Sequence, residues 1–212
     1  MENQLLDETT EIELLQQAKA GNFAAFQQLV GQLQPRVYGL TYRILQQAQD
    51  AEDATQQTFL ALIEHIADFR QESSVATWVL RIATNNALKI LRRKRTVKMV
   101  SMTDMSSEDS YSEMPHPEFI APWSQTADEI AQQAEVQAEL EKALLELDDK
   151  YRLVFVLRDI EGLTVRDTAQ ALQLNESTVK VRLLRARLAL RERLTREFGD
   201  ATKVMIPDHK HS

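Results

Sequence analysis

The chain has 212 residues, a formal net charge of -7 and no cysteine, which excludes disulfides, thiolate metal sites and cysteine nucleophiles together. With only five Gly, five Pro and little alternation of β-branched with polar residues, it reads as all-α rather than β. The start, MENQLLDETTEIELL, is acidic where a signal peptide is basic and then apolar, and the densest apolar run, LVFVL at 153–157, is too short to span a bilayer, so a cytoplasmic protein without membrane insertion is expected.

The first elements are helices. Ile12, Leu14, Leu15 and Ala18, then Phe23, Phe26, Leu29, Val30 and Leu33, recur at helical spacing, with Gly21-Asn22 as a break and Pro35 as a second one. Val37, Leu40, Thr41, Ile44 and Leu45 continue the pattern. Asp50 precedes a helix expected over 51–69, with Ala54, Phe59, Leu62, Ile63 and Ile66 along its inner face. Ser73-Ser74 can cap the next helix, since a Ser hydroxyl accepts the orphan N–H groups of a first turn.

That helix carries the strongest charge anomaly in the chain. Residues 81–98 hold seven Lys or Arg and no acid, whereas 1–80 hold 11 acids against four bases and 99–149 hold 13 against one. Residues 150–212 reverse the balance again, with 13 bases and eight acids. Two basic patches separated by an acidic connector suit two places where polyanion is held, with acid kept for another partner. On the basic helix Val75, Val79, Ile82 and Asn86 share one face, and Thr77, Arg81, Thr84, Asn85, Leu88, Arg92 and Arg95 form a polar and basic stripe. Arg and Lys at one-turn spacing follow a phosphate backbone, and Asn side chains reach base edges. Trp78 is either a support for an unstacked base or a plain core residue.

Periodicity then stops. Residues 99–127 are rich in Ser, Asp, Glu and Pro and lack a helix-length apolar face, which predicts a flexible acidic linker between two small helical domains, 1–98 and 128–198, with a disordered tail over 199–212. His209 and His211 lie in that tail; they could bind a metal, but two His on a frayed tail are more often without a role. In the second domain Ile130, Ala134, Val136, Leu140, Leu144, Leu145 and Leu147 lead into a helix packed through Val154, Leu157 and Ile160 and closed by Gly162.

Residues 163–194 have the layout of a helix-turn-helix. Thr164 with Asp167 forms a capping box, Val165, Ala169 and Leu172 give a short helix, Gln173 to Asn175 make the connection, and Asn175 caps a second helix. With Val179, Leu183, Ala186 and Leu190 on the core side, Glu176, Ser177, Thr178, Lys180, Val181 and Arg185 are expected to face a major groove, flanked by Arg182, Arg187 and Arg191 for phosphate. The alternative for this segment is an amphipathic hairpin with a solvated basic face.

Four segments in order carry a family resemblance: GNFAAFQQLV, DAEDATQQTFLALIEHIADFR, SSVATWVLRIATNNALKILRRKR and LTVRDTAQALQLNESTVKVRLLRARLALR. The chain resembles the extracytoplasmic-function (ECF) sigma factors of bacterial RNA polymerase over residues 10–98 and 130–196. The resemblance implies that 1–98 is a sigma region 2 domain and 128–198 a sigma region 4 domain. Asp50, Glu52, Asp53 and Gln56, with Gln57 where many relatives have an acid, would dock on the beta-prime clamp helices of core polymerase. The loop Phe69, Arg70, Gln71, Ser73 and Ser74 would capture a flipped base of the minus-ten promoter element, beside Trp78, Arg81, Asn85, Lys89 and Arg92. Glu176, Ser177, Thr178, Lys180, Val181, Arg182 and Arg185 would read the minus-thirty-five element. The partners implied are core polymerase at its beta-prime clamp and beta flap, promoter DNA and an anti-sigma factor, with no cofactor and no catalytic residue.

Two rivals come from other classes. A stand-alone helix-turn-helix regulator would bind its operator as a dimer and has no use for the acidic helix at 50–57. A metal-carboxylate enzyme would need more than Asp50 and Asp53 on one face, since Glu52 points away and no His or further acid joins them.

Overall fold

The computed structural model describes residues 2–97 and 129–198, with side chains over 10–94 and 138–196. The linker and tail expected at 99–127 and 199–212, His209, His211 and the side chains of Arg95, Ile130, Ala134 and Val136 lie outside the described residues.

Among the described residues all regular structure is helical. The first half consists of α1 (Glu2–Lys19), α2 (Phe23–Leu45), α3 (Ala48–His65), continued by a 3₁₀ turn Ile66–Asp68, and α4 (Val75–Val97). The second half consists of α5 (Glu129–Glu146), α6 (Asp149–Phe155), continued by a π turn Val156–Ile160, α7 (Val165–Leu172) and α8 (Glu176–Phe198). No described helix is long and apolar enough to cross a membrane.

Pro35 does not break the chain; it sits inside α2. The i−4 residue is Gly31, and Pro35 is exposed, so the carbonyl that loses its N–H partner lies on the wet side of the helix. Leu29 and Leu33 before the proline and Val37, Leu40 and Ile44 after it are all buried, and that continuous stripe outweighs one missing hydrogen bond. In α3 the inner face is Ala51, Ala54, Thr55, Thr58 and Leu62. Ile63, expected inside, is 52% exposed, because the smaller Thr55 and Thr58 let α3 approach α2 and α4 closely and bond their own hydroxyls to Ala51 and Ala54. The helix also starts before Asp50, which lies in its first turn.

The two helical domains pack against each other among the described residues. One apolar cluster runs from Leu14 and Leu29 through Leu80 and Ala83 to Leu153, Leu157 and Leu183. Three polar contacts frame it. Arg36 donates through Nε to the Glu161 carboxylate at 2.9 Å and through Nη2 to the Glu161 carbonyl at 2.7 Å. Arg43 Nη2 donates to Glu141 at 2.8 Å, and Gln46 Nε2 to the Leu145 carbonyl at 3.1 Å. Glu161 is buried, so Arg36 partners a carboxylate that would otherwise be costly to hold there.

Candidate nucleic-acid and polymerase interfaces

Glu52, Asp53, Gln56 and Gln57 are all exposed on the outer face of α3. Asp53, Gln56, Gln57 and Leu60 follow the i, i+3, i+4, i+7 stripe of a helix, Leu60 and Ile63 extend it with exposed apolar side chains, and Ile63 shares a shallow cavity with Phe23. Asp50 is set apart from them. Its carboxylate is paired with Lys94 of α4, which also donates to Gln47 Oε1 at 2.6 Å, so this acid is spent inside the domain.

The loop between the 3₁₀ turn and α4 is built around a buried aromatic. Phe69 is 7% exposed, with its ring centroid 5.1 Å from that of half-buried Trp78. Phe69 therefore lies beneath the loop and supports it. Arg70 and Gln71 are exposed, and Gln71 holds φ 59°, a left-handed conformation that a non-glycine residue keeps only where its surroundings impose it. Ser74 Oγ accepts from Thr77 N at 3.1 Å, which is the expected cap of α4. Ser73 Oγ accepts from Arg81 Nη2 at 2.7 Å. Together Asp68, Phe69, Arg70, Glu72, Ser73, Trp78 and Arg81 line a cavity of about 110 Å³, roofed by polar groups over an aromatic floor.

Along α4 the exposed stripe is narrower than the sequence suggested. Thr84 and Leu88 are buried, Thr84 bonding back to the Leu80 carbonyl, while Asn85 and Lys89 are exposed and Arg81 and Arg92 half-buried beside them. Two residues of the second half reach this stripe: Gln170 accepts from Arg81 Nη1 at 3.1 Å, and Asp167 lies 3.5 Å from it.

In the helix-turn-helix the caps are as expected. Thr164 Oγ1 accepts from Asp167 N at 3.0 Å, Gln173 ends α7 in the left-handed region, and Asn175 Oδ1 accepts from Thr178 N at 2.7 Å. Asn175→Ala should lower stability by about 1 kcal/mol in urea unfolding, with Asn175→Asp near neutral. The outward face differs from the expected one. Arg182 and Arg185 are buried at 1% and 3% exposure, and Arg185 Nη1 donates to the Tyr151 hydroxyl at 3.1 Å. Residue 182 lies three after Val179 and four before Ala186, so it shares their inner stripe, and packing of α6 on α8 covers the neighbouring residue 185 as well. Thr178 and Val181 are half-buried. The exposed stripe is Ser177, Lys180, Leu184, Arg187 and Arg191, with Glu176 beside its start. Arg187 makes a bidentate pair with Asp159 of the π turn, both contacts at 2.7 Å. The Asp159 hydrogen bond, and then its charge, hold the guanidinium above its ordinary pKa against slight desolvation, so it stays charged at any working pH.

Sequence reasoning missed Lys19, whose Nζ donates to the Phe69 carbonyl, and Glu11, which accepts from Ala76 N. Both come from α1, and no local pattern marks a residue that acts 50 or more positions away.

An acidic, partly apolar helix face, a basic helix beside a small cavity and a capped helix-turn-helix define a DNA-binding protein. Residues 29–97 match the sigma-70 region 2 family and residues 137–190 the sigma-70 region 4 family. The ECF RNA polymerase sigma factor SigW of Bacillus subtilis is 31% identical over 188 residues, 85% of this chain and 94% of its own length. The RNA polymerase sigma-H factor of Pseudomonas aeruginosa is 28% identical over 188 residues, 88% and 94% of the two chains. The chain belongs to the ECF sigma factors of the sigma-70 family, alternative sigma factors that direct transcription initiation. Two solved structures share its fold: the sigma factor RpoE in complex with the anti-sigma factor NepR from Bartonella quintana (TM-score 0.56, 22% identity, 80% of this chain and 96% of that one) and CnrH in complex with the cytosolic domain of CnrY (0.55, 24%, 89% and 99%).

Proposed function

We propose that this sigma factor docks on the beta-prime clamp of core RNA polymerase through the outer face of α3 and brings two DNA-reading surfaces to one promoter. The loop 69–74 and the stripe Arg81, Asn85, Lys89 and Arg92 of α4 capture and hold the opened minus-ten strand. The exposed stripe of α8 reads the minus-thirty-five duplex. The observation that carries this reading is the adjacency of unlike surfaces in the first half. Exposed Glu52, Asp53, Gln56 and Gln57 on α3 repel phosphate and suit a basic protein helix, while α4 presents four cationic or amide groups beside a cavity floored by Trp78 and Phe69. A base leaving the stack would meet an aromatic surface below and hydrogen-bonding groups at its rim.

The role is non-catalytic and is exercised in the cytoplasm, where template and polymerase are found. An anti-sigma factor is the expected negative partner, since both related structures are complexes with a second protein. Run-off transcription with purified core polymerase on a pool of genomic fragments tests the whole proposal. Discrete transcripts should appear only when this protein is added. Tight duplex binding by the protein alone, with no new transcripts, would leave a stand-alone regulator instead.

A further inference from the structure

The geometry points to α1 as a splint that holds the base-capture loop in shape from both ends, with Lys19 and Glu11 as its two positioning residues. This rests on the reading of loop 69–74 given above and reaches outside the region 2 match, which begins only at residue 29.

The loop's entry is the C-terminal end of a helix. The 3₁₀ turn Ile66–Asp68 finishes α3, and its last carbonyls have no helical N–H to accept from. Lys19, in the last turn of α1, donates from Nζ to the Phe69 carbonyl at 3.0 Å and to the Ala67 carbonyl at 3.4 Å, and the same ammonium lies 5.8 Å from the centre of the Phe69 ring. A positive charge thus meets the negative end of one helix and fixes the aromatic floor of the cavity. The loop's exit is the N-terminal end of α4. There Ser74 takes the N–H of Thr77, and the Glu11 carboxylate, from α1, takes the N–H of Ala76 at 3.2 Å. A negative charge meets the positive end of the second helix, completing between two helices the double capping that a capping box makes within one.

Glu11 and Lys19 are eight residues apart, about 12 Å along α1, and that rigid length sets the spacing of the loop's two ends. Between them the chain has to pass through the left-handed Gln71, which a loop free at either end would relax. Neither residue lines the cavity, so each acts through the loop and not on the DNA.

The test uses holoenzyme assembled on purified core and the promoter found by run-off transcription. Its probe is the non-template strand of the minus-ten element as a single-stranded oligonucleotide carrying 2-aminopurine at the captured base. Lys19→Met should weaken oligonucleotide binding by about tenfold and reduce the 2-aminopurine signal, with affinity for core within about twofold of wild type. Lys19→Arg, which keeps the charge and the donors, should recover most of the loss, and Glu11→Ala should behave like Lys19→Met. A protein that had merely become unstable would lose core binding too and would not discriminate Met from Arg. Wild-type oligonucleotide binding by Lys19→Met and Glu11→Ala, while Arg81→Ala loses it, overturns the splint alone. If Arg81→Ala also binds normally, the loop is not the capture site and both readings fall.

Discussion

Asp53→Arg will cut promoter-specific run-off transcription by at least about a hundredfold, through loss of core binding rather than loss of fold. Asp53 is exposed at the start of the α3 stripe, bordered by Glu52, Gln56 and Gln57. Reversing its sign against a basic partner replaces attraction with like-charge repulsion, a change of several kcal/mol across an interface, where each 1.4 kcal/mol is about a factor of ten. Urea unfolding should move by less than about 0.5 kcal/mol, as for most surface substitutions. Asp50→Arg gives a useful contrast. Asp50 is paired with Lys94, so its replacement disturbs the packing of α3 on α4 as well as the docking face. Full core affinity in Asp53→Arg would place the polymerase contact on another surface.

Arg182→Ala will behave as a core mutation, destabilising the chain by about 3 kcal/mol in urea unfolding, whereas Lys180→Ala will leave stability within about 0.5 kcal/mol. Arg182 is the largest fully buried side chain described. Truncation removes a long packed stem and leaves a cavity at the centre of the α6–α8 packing. Lys180, two residues away, is exposed and is proposed to serve DNA binding alone. Its removal should lower the salt dependence of duplex binding by about one counterion, measured as the slope of log affinity against log salt. If Arg182→Ala were as stable as wild type and also lost a counterion, residue 182 would belong to the DNA face after all.

These two arginine and lysine positions show where a sequence stops being legible. Caps depend on residues within four positions of one another, and so Ser74, Thr164, Asn175 and Gly162 could all be placed from local chemistry. The segregation of acid on α3 from base on α4 was equally visible, because it needs no knowledge of how the helices meet. Which side of a helix turns inward is different. A stripe of small residues in α3, Ala51 and Ala54 with Thr55 and Thr58, displaced the larger Ile63 to the surface, since close approach of helices favoured small volumes over apolar ones. In α8 the apolar residues mark the middle of the buried stripe and not its edges, so the pattern alone places Arg182 and Arg185 outward and carries no sign of the exposed Leu184. Pro35 failed as a break for a related reason: the penalty is local, but the burial that offsets it runs along the whole of α2. Glu11, Lys19, Asp167 and Gln170 form the last group, legible only once distant segments are brought together.

The apolar cluster that passes from Leu14 to Leu183 has a bearing on how this chain meets any partner. Residues from both halves exclude water from the same space, so parting the halves would expose apolar surface on each. A partner that grips only α3 and α4, or only α8, perturbs a free-energy surface that both halves share. Its measured affinity is then a net quantity, intrinsic contact energy less the work of shifting that common equilibrium, and the work depends on substitutions far from the contact.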